Sequence, residues 1–192
     1  MFSAIHPNPK QLYSIFESFT GLLSDFCLRV KNDGIYMNEM DSSHVCMLLL
    51  ELNEDEFKDY EYTQDIELGI NLKNFVNLLK VGRNAEYIKL TVEDEDELGI
   101  SFKTSYDIKE YALKLMDIES NELEPHDMDY SCEFDISPNV YNDIIESSIV
   151  TGTDSITAKI GNGKLKFIEI NPRFGGGSYF ATLAGVNFTE II

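Results

Sequence analysis

A constant offset of 129 residues relates two stretches of this 192-residue chain: Pro9 recurs as Pro138, Glu17-Ser18 as Glu146-Ser147, Asp25 as Asp154 and Gly34 as Gly163. Both stretches open with an aromatic-serine pair, Phe2-Ser3 and Tyr130-Ser131, and both read as strand, helix, strand, tight glycine-containing turn, strand. A repeated βαββ unit narrows the accessible folds sharply, because both copies must bury the same apolar face. The correspondence fades after about Phe167, and the 25 residues that follow are fewer than a full second copy requires. The second unit is therefore expected to be truncated or replaced.

In the first copy, Leu12, Ile15, Phe16, Phe19, Leu22 and Leu23 recur at helical spacing after Pro9, a residue suited to a first helical turn. Lys10, Tyr13, Ser14 and Glu17 fall on the opposite face. Residues 26–31 and 35–40 flank Asn32-Asp33-Gly34, whose Asp-Gly step favours a tight hairpin. A strand near Val45–Leu52 is expected next, followed by an acidic loop. Leu72, Phe75, Val76 and Leu79 then write a second helix at i, i+3, i+4, i+7, with Lys73, Asn77 and Lys80 on another face and Gly82 as a stop signal. Three strand-like runs follow near 86–93, 97–104 and 109–116. The fold class is thus α+β, with two helices on an otherwise antiparallel sheet. The expected organisation is a first domain over 1–116, an acidic linker over 117–129 without periodicity, and a partial second domain over 130–192.

Charge restricts function. Thirty-four acidic residues against fifteen basic give a net charge of -19, which repels nucleic acid at long range and argues against a general phosphate binder. Of those acids, 24 lie in residues 36–130, so a neutral or basic face can sit behind an acidic shell. No apolar run approaches the roughly 20 residues needed to span a bilayer, and the N-terminal residues lack the features of a signal peptide, so an intracellular protein is expected. Cys27, Cys46 and Cys132 lie far apart in apolar stretches and read as reduced thiols. No His/Cys group has metal-ligand spacing, and no Ser/His/Asp or Cys/His set offers a nucleophile, so no catalytic residue and no cofactor are expected. Gly161-Asn162-Gly163-Lys164-Leu165 lacks the spacing of a phosphate-binding loop and reads as a hairpin turn.

Met40-Asp41-Ser42-Ser43-His44-Val45 resembles the same segment of the proliferating cell nuclear antigen family, the eukaryotic DNA sliding clamps. Gly69-Ile70-Asn71-Leu72 with Leu78-Leu79-Lys80, then Lys114-Leu115-Met116-Asp117, then Tyr130-Ser131-Cys132 fall in that family's order and at nearly its spacing. The resemblance covers residues 1 to about 167. It implies a DNA-clamp (processivity) fold and a non-catalytic ring subunit that encircles duplex DNA, docks polymerases and repair enzymes, and is placed on DNA by a clamp loader. It also implies a homotrimer in the nucleus, or at a cytoplasmic replication site if viral. On this resemblance Lys10, Lys73, Asn77, Lys80 and Arg83 are the DNA-facing candidates, although Tyr13, Ser14 and Thr20 stand where the family has lysine. Met40, His44, Val45 and Leu123 are the candidates for a partner-peptide pocket, and Leu123-Glu124-Pro125 lacks the apolar residue the family places before the proline. Ring closure would pair the last strand of the first domain, Glu110–Met116, with a strand in the later part of a neighbour's second domain.

The stretch from about residue 168 resembles something else. Ile168-Glu169-Ile170-Asn171-Pro172-Arg173-Phe174-Gly175-Gly176-Gly177, followed by Leu183-Ala184-Gly185-Val186-Asn187, is similar to the closing motif of ATP-grasp ligases. That likeness implies magnesium held by Glu169 and Asn171 beside nucleotide phosphates, with Arg173 nearby, since carboxylate and amide oxygens suit a hard cation. A nucleotide- and magnesium-binding ligase fragment is the alternative reading, and a non-functional hybrid is the third.

Overall fold

Strands alternate with two helices in the order β1 (Phe2–His6), α1 (Pro9–Ser18), β2 (Asp25–Lys31), β3 (Gly34–Met40), β4 (Met47–Asn53), β5 (Asp59–Tyr62), β6 (Ile66–Asn71), α2 (Leu72–Gly82), β7 (Tyr87–Val92), β8 (Glu97–Lys103) and β9 (Ile108–Lys114). After them come α3 (Pro138–Thr151), β10 (Ile156–Gly161), β11 (Lys164–Glu169) and β12 (Tyr179–Phe180). This computed structural model describes residues 1–94, 96–118, 134–151, 156–161, 164–169 and 179–180. The chain forms two compact units, Met1–Pro125 and His126–Ile192.

Unit 1 contains two antiparallel sheets, of order β5-β1-β7-β8-β9 and β4-β3-β2-β6. The pleat puts alternate residues on one face, so Leu98, Ile100 and Phe102 of β8 and Phe26, Leu28 and Val30 of β2 all enter the core. The helices complete it with Leu12 and Phe16 from α1 and Leu72, Phe75 and Leu79 from α2. Phe16 meets Phe75 edge to face at 4.9 Å and Phe26 at 5.3 Å. Each such ring, fully buried, contributes on the order of 2–3 kcal/mol. At the end of α2, Gly82 is required by packing, because a Cβ there would lie 1.9 Å from the Phe102 ring. Gly69 of β6 is required in the same way: its Cβ would lie 2.1 Å from the Met116 carbonyl oxygen, and the Met116 amide donates to the Gly69 carbonyl at 2.8 Å.

Each helix begins as its sequence specifies. Asn8 caps α1 by accepting from the Gln11 amide, ahead of Pro9. Asn71 caps α2 by accepting from the Asn74 amide. The hairpin at Asn32-Asp33 forms as expected, with Lys31 paired to Gly34, and the Tyr60 hydroxyl lies 2.7 Å from the Lys31 carbonyl and 2.8 Å from that of Gly34.

Four expectations are corrected. Helix α1 stops at Ser18, and the residues to Leu23 form hydrogen-bonded turns, because the Thr20-Gly21 step weakens helix propensity there. Strand β4 starts at Met47, leaving Val45 in the preceding turn. The segment expected to be an acidic loop contains β5 and β6, whose Tyr60, Tyr62, Leu68 and Ile70 point inward. Two sheets, not one, carry the helices. In unit 2, α3, β10 and β11 follow the order of the repeat, with β10 and β11 paired from Ile156↔Glu169 to Gly161↔Lys164. The strand expected near Tyr130 and most of the linker fall outside the described residues.

Candidate functional site

Two surfaces of unit 1 gather the sequence candidates. The first is the exposed side of the α1–α2 pair. Phe16, late in α1, touches Phe75, early in α2, while Tyr13 lies under the Arg83 guanidinium at 5.9 Å, so the helices run antiparallel. Lys73, Asn77 and Lys80 are spaced four and three apart and are all exposed, which places them in one row along α2. Lys10 is exposed on α1, at the end shared with Arg83. Lys10, Lys73 and Lys80 have no ion-pair partner among the described residues, and Lys80 also sits in the last turn of α2, where a cation suits the helix dipole.

Tyr13 departs from the sequence expectation. It is 7% exposed; its hydroxyl donates to the Glu17 carboxylate, and that bond, with burial, pushes the phenol above its ordinary pKa. Its ring closes the seam between α1 and α2 and serves as the platform for Arg83, a pairing the helical pattern did not disclose. A cavity of about 480 Å³ adjoins the row at the start of α2, lined by Thr20, Leu23, Ser24, Asn71, Leu72 and Lys73. The face of the five-stranded sheet turned away from the core carries Glu93, Asp94, Glu97 and Glu110 around a shallow groove of about 250 Å³. The lysine row of α2 and this acidic groove thus lie on different elements of one acidic unit.

The second surface is the loop between β3 and β4. Asp41 organises it: one carboxylate oxygen accepts from the Val45 and Cys46 amides, each at 2.8 Å, and the other accepts from the Ser43 hydroxyl and amide. The Ser43 hydroxyl, together with the Cys46 and Val45 amides, holds the Asp41 carboxyl down at about 2. His44 takes a left-handed backbone with φ 55°, a conformation that costs about 1 kcal/mol in a residue with a Cβ. Val45 is 85% exposed and Leu49 is 52% exposed, beside a half-buried Met40–Met47 pair. Met40 ends β3 at the edge of this loop, and His44 and Val45 lie within it. Leu123 lies outside the described residues. Asp41 and Leu49 were absent from the sequence candidates; the Asp-Ser-Ser run, a pattern in which the aspartate side chain bonds to the backbone just ahead, was the available signal for Asp41.

Of the alternative set, Glu169 ends β11, while Asn171 and Arg173 lie outside the described residues. Among the described residues no group of three His, Cys, Asp or Glu side chains could hold a metal ion. Cys27 is buried and Cys46 half-buried, both as thiols; Cys132 is not among the described residues. No described helix is long and apolar enough to cross a membrane.

Residues 1–123 match a family described as proliferating cell nuclear antigen, N-terminal domain. Over 141 residues the chain is 31% identical to a probable DNA polymerase sliding clamp 2 of Paramecium bursaria Chlorella virus 1, an alignment covering 73% of this chain and 52% of that relative. It is 28% identical over 159 residues to the proliferating cell nuclear antigen of Chaetomium thermophilum, covering 81% of this chain and 61% of that one. The crystal structure of the protein of that name from Thermococcus kodakaraensis superimposes with a TM-score of 0.82 at 19% identity, over 95% of this chain and 73% of the other. The superposition establishes a shared fold. This chain spans between about half and three fifths of the length of these curated relatives.

Proposed function

The chain belongs to the proliferating cell nuclear antigen family, and from that membership we propose that it works as a subunit of a DNA sliding clamp, a processivity factor for DNA polymerase. The supporting observation is the row Lys73, Asn77 and Lys80 on α2, beside Lys10 and Arg83, on a chain whose net charge is -19. A ring that slides must offer charge to phosphates at any register without reading bases, and isolated basic side chains on two packed helices do that. In this reading Met40, His44, Val45 and Leu123 receive short peptides of polymerases and repair enzymes, with Asp41 holding the loop that carries the first three. The chain performs no chemical step of its own. A clamp loader places it on DNA, and the ring is trimeric and joined through β9, an edge strand of its sheet; this chain on its own is mainly monomeric and needs a full-length partner to close that ring. Relatives from a virus and a fungus suit action at replicating DNA, in a nucleus or at a viral replication site.

The test is binding of the full chain to linear duplex DNA at several salt concentrations. Weak binding that falls steeply with salt and is indifferent to sequence is expected. Tight, salt-insensitive or sequence-specific binding would overturn the reading.

A further inference from the structure

Helices α1 and α2 contain a single acidic residue between them, Glu17, in a chain with 34 acids. The other charged residues of the pair are lysines, Lys10 on α1 and Lys73 and Lys80 on α2. The place of that one carboxylate is specific. It accepts a hydrogen bond from the Tyr13 hydroxyl, and the Tyr13 ring lies under the guanidinium of Arg83, the residue that caps the end of α2, at 5.9 Å. The Glu17 hydrogen bond raises the phenol's pKa most and the Arg83 charge lowers it, so both charges bear on the same side chain.

Burial fixes this arrangement. Tyr13 belongs to the core cluster, whereas Glu17 and Arg83 are exposed, so an immobile ring sets where two otherwise free side chains rest. Glu17 and Arg83 form no direct ion pair among the described residues; the phenol links them. A phosphate drawn to Arg83 therefore meets a carboxylate at the same place, and the repulsion offsets the attraction. Lys10, Lys73 and Lys80 have no ion-pair partner of this kind among the described residues.

We propose that Glu17, held by the Tyr13 hydroxyl, cancels Arg83 as a phosphate contact and so limits how strongly the helix face grips DNA. Glu17 and Tyr13 are positioning residues in this arrangement: they act on DNA through Arg83. Each cation that meets a phosphate strengthens binding by releasing counterions. A ring that slides gains nothing from a grip that holds it in one place, and one fixed carboxylate is enough to keep a fourth cation in reserve. The inference rests on the clamp reading, in which the three lysines supply the charge that meets DNA.

The test is a double-mutant cycle on the full 192-residue chain, with Glu17→Gln, Arg83→Ala and the two combined, read as the salt dependence of binding to a labelled linear duplex. Both positions are exposed, so circular dichroism of the variants should match the parent. Glu17→Gln is expected to tighten binding at 50 mM salt and to steepen the slope of log affinity against log salt by about 0.9, so that affinity falls about 150-fold between 50 and 200 mM salt. Arg83→Ala should leave the parent's slope unchanged, and it should abolish the gain from Glu17→Gln. An Arg83→Ala slope flatter than the parent's by about 0.9 overturns the proposal, because Arg83 would already be meeting phosphate. So does a Glu17→Gln gain that survives without Arg83, since it would then come only from the lost negative charge. No change with Glu17→Gln overturns it as well. Lys73→Ala with Lys80→Ala separates this failure from that of the clamp reading: a flattened slope in that variant keeps the helix face on DNA whatever the cycle shows, and an unchanged slope removes the face itself.

Discussion

Replacing Lys73 and Lys80 together by alanine changes the salt dependence of DNA binding by an amount that follows from the helix surface. Lys10, Lys73 and Lys80 are exposed and without ion-pair partners among the described residues, whereas Arg83 is engaged with Tyr13, so the parent chain meets about three phosphates. Each neutralised phosphate contributes about -0.9 to the slope of log affinity against log salt, giving about -3 for three contacts. Affinity then falls about 40-fold between 50 and 200 mM salt. With only Lys10 left, the slope drops to about -1 and the same change of salt costs about 3- to 4-fold. Fluorescence anisotropy on a linear duplex at five or so salt concentrations reads both slopes directly. Both lysines lie on an exposed helix face, so their removal leaves the fold intact. A double variant whose slope stays near the parent's would show that phosphate is met elsewhere, and the helix face would lose its role.

A polymerase-type peptide with one aliphatic and two aromatic anchors should bind unit 1, and His44→Ala with Val45→Ala should weaken it by more than about 1 kcal/mol in a titration; unchanged affinity removes the pocket assignment. Tyr60→Phe keeps the ring contacts with Phe2 and Phe57 but strips the donor from the hairpin carbonyls, and it should cost about 1 kcal/mol in urea denaturation. Burial pushes the His6 imidazole below its ordinary pKa, so the folded state favours the neutral form: its contribution to stability is complete above about pH 6.5 and is lost as pH falls below that value. Melting temperature should therefore decline from about pH 7 to pH 5 more steeply in the parent than in His6→Asn, and equal slopes would contradict the assignment. Light scattering after size-exclusion chromatography should find this chain mainly monomeric or in loose, concentration-dependent oligomers; a stable closed trimer at low micromolar concentration would refute that while favouring the ring.

Periodicity carried most of unit 1. The i, i+3, i+4, i+7 spacing of Leu72, Phe75, Val76 and Leu79 matches the buried side of α2, and Asp33-Gly34 marks the β2–β3 hairpin. Strand β5 is hidden in the sequence because acids at Asp59 and Glu61 alternate with Tyr60 and Tyr62, so a half-buried strand resembles a charged loop. The reversed exposure of Tyr13 has a tertiary cause: its neighbour Arg83 is 70 positions away, and no window along α1 contains it. At the β3–β4 loop the conformation was not legible, because it depends on one carboxylate bonding to amides two to five positions ahead.

The Met116 amide on the Gly69 carbonyl stitches the chain leaving β9 to the middle of β6 in the four-stranded sheet, and Ile118 lies over the same glycine. Mechanically, that stitch is an anchor. A pull on the chain beyond residue 118 loads β6 before it can peel β9 from β8, and β6 shares six registered pairs with β2. Tension is thus shared between the β2–β6 ladder and the β8–β9 ladder. A side chain at position 69 would remove the anchor and leave β9 as the first element to tear.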